Sequence, residues 1–198
     1  MASSSGKRLR LFIALDLPAE VRRGIVRWGD HELADPALRP VDEEALHVTL
    51  AFLGHRPESE VEPLARLVSG LRHPAPLLAL TGVSRVGGRS PRLFALDAEG
   101  PGAAGLQSEL IGAGAEAGLI EPEERPFWPH VTVARVRSEG RGSRRPARVA
   151  KVPGELPEDL RKPFRCVRVT LYRSLTNPAG AEYVPLAQVE LPERAAVR

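Results

Sequence analysis

"LHVTLAFLG" (residues 46–54) and "PHVTVARV" (129–136) each set a histidine, an apolar residue, a threonine and a second apolar residue in the same order. His47 and His130 lie 83 positions apart in a chain that holds five histidines. From composition alone, two such matches have odds of roughly one in five hundred. A second echo extends the first. "LFIALD" (11–16) and "RLFALD" (92–97) share Ala-Leu-Asp at an offset of 81, only two residues out of step with the histidines. The chain therefore reads as a duplication, in which each half contributes one copy of a site.

Periodicity gives each half the same order of elements. In the first, a strand at about 9–17 runs into Pro18, which suits the first turn of a helix. Val21, Ile25 and Trp28 then recur at helical spacing. The strand around His47 ends at Gly54, Val61, Leu64, Val68 and Leu71 mark a second helix, and 76–86 reads as a third strand. In the second half, a strand at 92–98 precedes a glycine-weakened helix at 102–119 that carries Leu106 and Leu110. The strand around His130 follows, with a short helix near 155–161. A strand at 164–175 pairs with 182–191 through the turn signal "NPAG" at 177–180. "GVSRVGGRSPR" (82–92) reads as a hairpin turn. The expected fold is α+β and bilobal: duplicated β-α-β-α-β units, with mixed or antiparallel sheets lining a central cleft and helices outside. Residues 1–7 are expected as a flexible tail. Residues 8–198 are expected as a single domain of two pseudo-symmetric halves, about 8–88 and 89–198.

Strict strand alternation puts His47, Thr49 and Ala51 on one face, opposite Val48, Leu50 and Phe52. It likewise puts His130, Thr132 and Ala134 opposite Val131 and Val133. If a pseudo-two-fold axis relates the halves, both His-Thr pairs converge on one cleft. An imidazole with a pKa of about 6.5 serves as acid or base near neutrality. In-line displacement at phosphorus needs a base behind the attacking oxygen and an acid beyond the leaving oxygen, and two-fold symmetry supplies that opposition. Thr49 and Thr132 would donate hydrogen bonds to the non-bridging phosphate oxygens. The plain alternative is a pair of buried histidines held by hydrogen bonds.

Other residues are secondary candidates for substrate binding. Phe12 shares a face with Ala14 and Asp16 and could stack a nucleobase or pack the core. Trp128 falls on the His130 face unless Pro129 disturbs the strand. Arg135 falls opposite His130 by alternation, and only a bulge or a strand end would bring it round. His31, His55 and His73 lack metal-ligand spacing, so neither a metal nor a cofactor is expected. No phosphate-binding glycine loop or dinucleotide motif occurs.

Net charge is +3, but Arg135–Lys151 holds seven basic residues and one acid, Glu139, leaving the remainder of the chain at −3. Arg141, Arg144, Arg145 and Arg148 make this segment either a solvated loop or a contact for the body of an RNA. No apolar run approaches the ~20 residues that span a bilayer, and no cleavable leader is read. A single cysteine, Cys166, suits a reducing cytoplasm.

These residues resemble the 2H phosphoesterase superfamily, and within it the bacterial and archaeal RNA 2′,3′-cyclic phosphodiesterases, historically called 2′-5′ RNA ligases. "RLRLFIALDLP", "ALHVTLAFLG", "RPFWPHVTVAR" and the late "LYRSL…G…Y" carry the likeness, which spans about residues 8–191. Val133 stands where leucine is more usual, and the basic loop after Arg135 is long. The resemblance implies metal-independent hydrolysis of RNA 2′,3′-cyclic phosphates to 2′-phosphomonoesters in a cleft between two lobes, with His47 as proton donor and His130 as acceptor. It implies as substrates RNA ends bearing the cyclic phosphate, tRNA fragments among them, and cyclic mononucleotides; a monomer is expected. The alternatives are 2′-5′ ligation by the same residues and a non-catalytic module that binds RNA ends.

Overall fold

Residues 7–177 and 180–193 are described by the structure, a computed structural model. The tail expected over 1–7 lies outside them except for Lys7, as do residues 178–179 of the expected terminal turn. The strands are β1 (Arg8–Asp16), β2 (Leu38–Pro40), β3 (His47–Pro57), β4 (Leu77–Val86), β5 (Leu93–Glu99), β6 (His130–Val136), β7 (Phe164–Arg165), β8 (Arg168–Asn177) and β9 (Gly180–Glu190). The helices are α1 (Ala19–Glu32), α2 (Val61–Ser69) and α3 (Ala103–Glu116). The three long helices and the strands expected from periodicity are present, except that the strand at 164–175 is split. The short helix expected near 155–161 is a 3-10 turn at Glu158–Arg161, and the fold is α+β. The three-residue β2 had no signal in the sequence.

All strand pairs are antiparallel. The order is β7-β4-β5-β6-β3-β1-β8-β9, with β2 added beside β6. Two groups of four strands, β3-β1-β8-β9 and β6-β5-β4-β7, meet at the seam between β3 and β6. There the two histidine strands pair through Val48 and Val131. These groups are not the chain segments 8–88 and 89–198. β4, from the first segment, pairs with β5, whereas β8 and β9 return to β1. The exchange also explains why the expected strand 164–175 is broken. Phe164–Arg165 pair with β4, Cys166 N–H donates to the Pro76 carbonyl, and from Arg168 the chain pairs with β1. One continuous strand could not serve both partners.

The buried face of each element joins a single apolar cluster. Leu64 and Val68 of α2, Leu106 and Leu110 of α3, and Ile25 and Trp28 of α1 supply the helical stripes. Val48, Val131 and Val133 supply the undersides of the histidine strands. Since Val48 and Val131 are fully buried and face each other across the seam, truncating either removes about two methylene equivalents from the core. Val48→Ala and Val131→Ala should each destabilise by about 2 kcal/mol. The double variant should depart from additivity because the two sites share a cavity. Urea unfolding of the four proteins checks this, and strict additivity would mean that the seam is not packed as a unit.

Candidate active site

Both histidine strands break their alternation at the same place. Along β1, Ala14 pairs with Thr49 and Ile13 with Ala51, so Leu50 is passed over. Along β5, Ala95 pairs with Thr132 and Phe94 with Ala134, so Val133 is passed over. Such a bulge sets two consecutive residues against one on the neighbouring strand. Leu50 and Ala51 are both buried, as are Val133 and Ala134. Ala51 and Ala134, expected beside the histidines, therefore lie in the core. The next residues, Phe52 and Arg135, expected on the opposite face, line the cleft instead. Phe52 is 65% exposed. A further bulge passes over Leu53, and the next residue, Gly54, has φ 68°, a left-handed conformation that favours glycine.

The histidines are held alike. Nδ1 of His47 donates to the Ala45 carbonyl at 2.8 Å, and Nδ1 of His130 donates to the Trp128 carbonyl at 2.8 Å. With Nδ1 donating, Nε2 is left as the acceptor nitrogen of each ring, and Nε2 of His47 accepts from the Thr49 hydroxyl at 3.1 Å. An aromatic ring lies on each imidazole: Phe12 on His47 with centroids 4.9 Å apart, and Trp128 on His130 at 3.9 Å. Phe12 is 4% exposed and also packs against Tyr172 and Tyr183, although its edge reaches the cleft wall. Of the two roles offered by the sequence, packing is the one its burial fits. Trp128 is 39% exposed.

Behind each histidine stands the aspartate of the Ala-Leu-Asp repeat. Asp16 is the cross-strand partner of His47, and Asp97 that of His130. Asp16 accepts from Arg168 Nε at 2.7 Å, Thr170 Oγ1 at 2.9 Å and the Tyr172 hydroxyl at 2.9 Å. Asp97 accepts from Ser84 Oγ at 2.8 Å and Trp128 Nε1 at 2.8 Å. Burial pushes the Tyr172 hydroxyl up to about 12, and the Asp16 charge adds to the rise, so it stays a donor. Burial pushes His47 down to about 4. The Ala45 hydrogen bond and the Asp16 charge oppose that fall, while the positive charges of His130 and Arg135 reinforce it.

The cleft, about 520 Å³, contains both His-Thr pairs, and Arg39, Phe52, Arg135 and Tyr183 shape its walls. A smaller hollow of about 250 Å³ adjoins it on the Trp128 side, and its lining includes Gln107, Arg125 and His130. The basic segment is a small hairpin continuing β6. Ala147 N–H donates to Arg137 O, Ser138 bridges Pro146, and Asp35 receives the Ala150 and Lys151 amides. Arg141, Arg144, Arg145 and Arg148 are exposed on it, outside the cleft. Among the described residues no three His, Cys, Asp or Glu side chains gather as metal ligands, and no helix is long and apolar enough to cross a membrane.

The sequence alone assigns no role to Asp16, Asp97, Arg168, Thr170, Tyr172, Phe52 or Arg39. The repeat carried a signal for the aspartates, and polar residues at 168, 170 and 172 alternate with Val169 and Leu171. Nothing in the sequence marked Phe52 or Arg39, which owe their places to a bulge and to the unforeseen β2.

Residues 15–94 match the family model described as LigT like phosphoesterase. The chain is 31% identical over 179 residues to an RNA 2′,3′-cyclic phosphodiesterase of Escherichia coli K12, covering 89% of this chain and 93% of the relative. It is 35% identical over 193 residues to one from Thermus thermophilus, covering 92% and 90%. Among solved structures, E. coli LigT complexed with 3′-AMP superposes with a TM-score of 0.73 at 30% identity, covering 94% of this chain and 99% of that one.

Two titrations follow from the electrostatics. Asp16 is a charge that raises the proton affinity of His47, so Asp16→Asn should lower the His47 pKa further. Ring NMR titration reads this directly, and an unchanged or higher value would contradict it. Because folding depresses the His47 pKa from 6.5 to about 4, the unfolded chain binds the extra proton across that window. Native stability from this group is therefore full above pH 6.5 and is lost as pH falls towards 4. His47→Gln should flatten the dependence in denaturant titrations.

Proposed function

The chain belongs to the LigT-like phosphoesterase family, and on that footing we propose that it hydrolyses RNA 2′,3′-cyclic phosphate ends to 2′-phosphomonoesters. The observation that carries this reading is the pair of oriented imidazoles, each with Nδ1 engaged and a threonine two residues on, in one cleft. Water attacks phosphorus from the His130 side and gives its proton to Nε2 of His130. A P–O bond forms as the bond to O3′ breaks, and Nε2 of His47 gives a proton to O3′. Thr49 and Thr132 hold the non-bridging oxygens, and Arg135 balances their charge. A pKa of about 4 leaves the His47 ring neutral at pH 7 on its own. A bound phosphate monoanion beside it raises its proton affinity, so substrate itself loads the donor.

The imidazoles supply the proton transfers that a metal-bound hydroxide would supply elsewhere, so no metal is invoked. The basic hairpin takes the RNA body. The relative crystallised with 3′-AMP supports a nucleotide as occupant of the cleft. Cyclic mononucleotides and RNA fragments, including those of tRNA, are then substrates for a monomeric enzyme of the cytoplasm. The hollow beside His130 favours a second reaction, 2′-5′ ligation. There a 5′-hydroxyl replaces water and passes its proton to His130, while O3′ leaves as before.

Purified protein given adenosine 2′,3′-cyclic phosphate in EDTA should yield the 2′-phosphate; loss on chelation with recovery on adding a divalent ion would overturn metal independence. His47→Ala and His130→Ala should each lower kcat at least about 100-fold, with effects far from additive. A substrate with sulfur in place of O3′ needs little protonation of its leaving group. It should therefore restore His47→Ala more than His130→Ala, and the reverse would exchange the two roles.

Replacing Arg141, Arg144, Arg145 and Arg148 by Ser should lower the preference for oligoribonucleotide over mononucleotide. The salt slope of RNA binding should become shallower by about 0.7 for each phosphate that is no longer neutralised. Equal losses on both substrates would make the hairpin a support of the fold.

A further inference from the structure

Two arginines lie side by side at the outer end of the cleft without a counter-charge. β2 pairs with β6 so that Arg39 is directly opposite Arg135, and both side chains line the cleft. Like charges directly opposite on neighbouring strands are destabilising. Among the described residues neither guanidinium takes part in an ion pair or a hydrogen bond. Elsewhere in the chain arginines are matched with carboxylates, such as Arg56 with Glu60 and Arg168 with Asp16. The charged wall is built rather than incidental. Val41 N–H donates to the Val133 carbonyl, and Arg137 Nε donates to Leu38 O, which pins the short strand against β6. Arg39 is half-buried. Asp42 also reaches the cleft, but it is exposed and makes no bond to either arginine.

The pair stands between two features already described. Inward, Arg135 is close enough to His47 to oppose its protonation. Outward, β6 continues directly into the basic hairpin. An RNA chain leaving the scissile phosphate towards that hairpin passes Arg39, and its next phosphate is the one on the 5′ side of the terminal nucleotide. We infer that Arg39, set beside Arg135, is a specificity subsite for that phosphate, the first one beyond the cyclic end. Occupation by an anion relieves the repulsion between the two guanidinium groups. This rests on the cyclic phosphodiesterase reading, because the polarity of the RNA is set by which end carries the cyclic phosphate.

The test compares three substrates: adenosine 2′,3′-cyclic phosphate, its 5′-phosphorylated form, and the dinucleotide ApA with a cyclic end. For the wild type, kcat/KM should rise from the first to the second and third. Arg39→Met should reduce the ratio of the second and of the third to the first by about tenfold, the scale of one charge-assisted hydrogen bond. The salt dependence should become shallower by about 0.7. Arg39→Lys should restore part of the ratio, and circular dichroism should establish that both variants are folded. If wild type hydrolyses none of the three, the underlying reading fails. If it hydrolyses them but Arg39→Met leaves the ratios unchanged, the subsite alone is refuted. A dinucleotide preference without a gain from the 5′-phosphate would mean that the second nucleoside is recognised instead, and would also overturn it.

Discussion

The site depends on one backbone irregularity made twice. After each His-x-Thr, two consecutive residues turn into the core, Leu50 with Ala51 and Val133 with Ala134. A regular strand would have given the cleft two alanines and sent Phe52 and Arg135 inward. Burying the Arg135 guanidinium without a partner would have been far more costly than the lost ladder pairing. Phasing is thus reset where the His-x-Thr pair ends. One strand can then turn two polar residues into the cleft and a third group farther along the same cleft. The duplication doubled the device but not its content, since an aromatic ring occupies one copy and a cation the other.

The environments of the two histidines show the same departure from symmetry. Each has its Nδ1 held by the carbonyl two residues back, a ring stacked on it, and an aspartate across the strand. The aspartates differ in company. Asp16 is buried under three donors, one of them the Arg168 cation, whereas Asp97 is met by a hydroxyl and an indole. Neither carboxylate is hydrogen-bonded to its histidine, and Asp16 acts on His47 through its charge. Identical motifs thereby sit in unlike electrostatic surroundings.

Much of this was legible in the sequence, and the remainder has physical reasons for being hidden. His47, Thr49, His130 and Thr132 were marked by repetition, and the helices by their apolar stripes. Alternation failed at residues 50–53 and 133–135, because a bulge inserts one residue and inverts every face after it. Arg39 was invisible because β2 is three residues long and exists only through its pairing with β6. The strand expected across 164–175 was broken by tertiary demand: Cys166 and Val167 carry the chain between strand groups, and no local propensity reports such a crossing.

That crossing bears on how the molecule comes into being. β1 is synthesised well before the strand that completes one of its two edges, Arg168–Asn177, some 150 residues later. Until then a nascent chain carries an apolar strand with one side unpaired, beside a carboxylate, Asp16, whose three donors are not yet made. Pairings so distant in sequence form slowly, and an open strand edge invites pairing with the wrong partner. The later strand therefore both closes this edge of β1 and brings the three donors to Asp16. The carboxylate beside the first histidine is thus enclosed by the same pairing that completes the sheet around it.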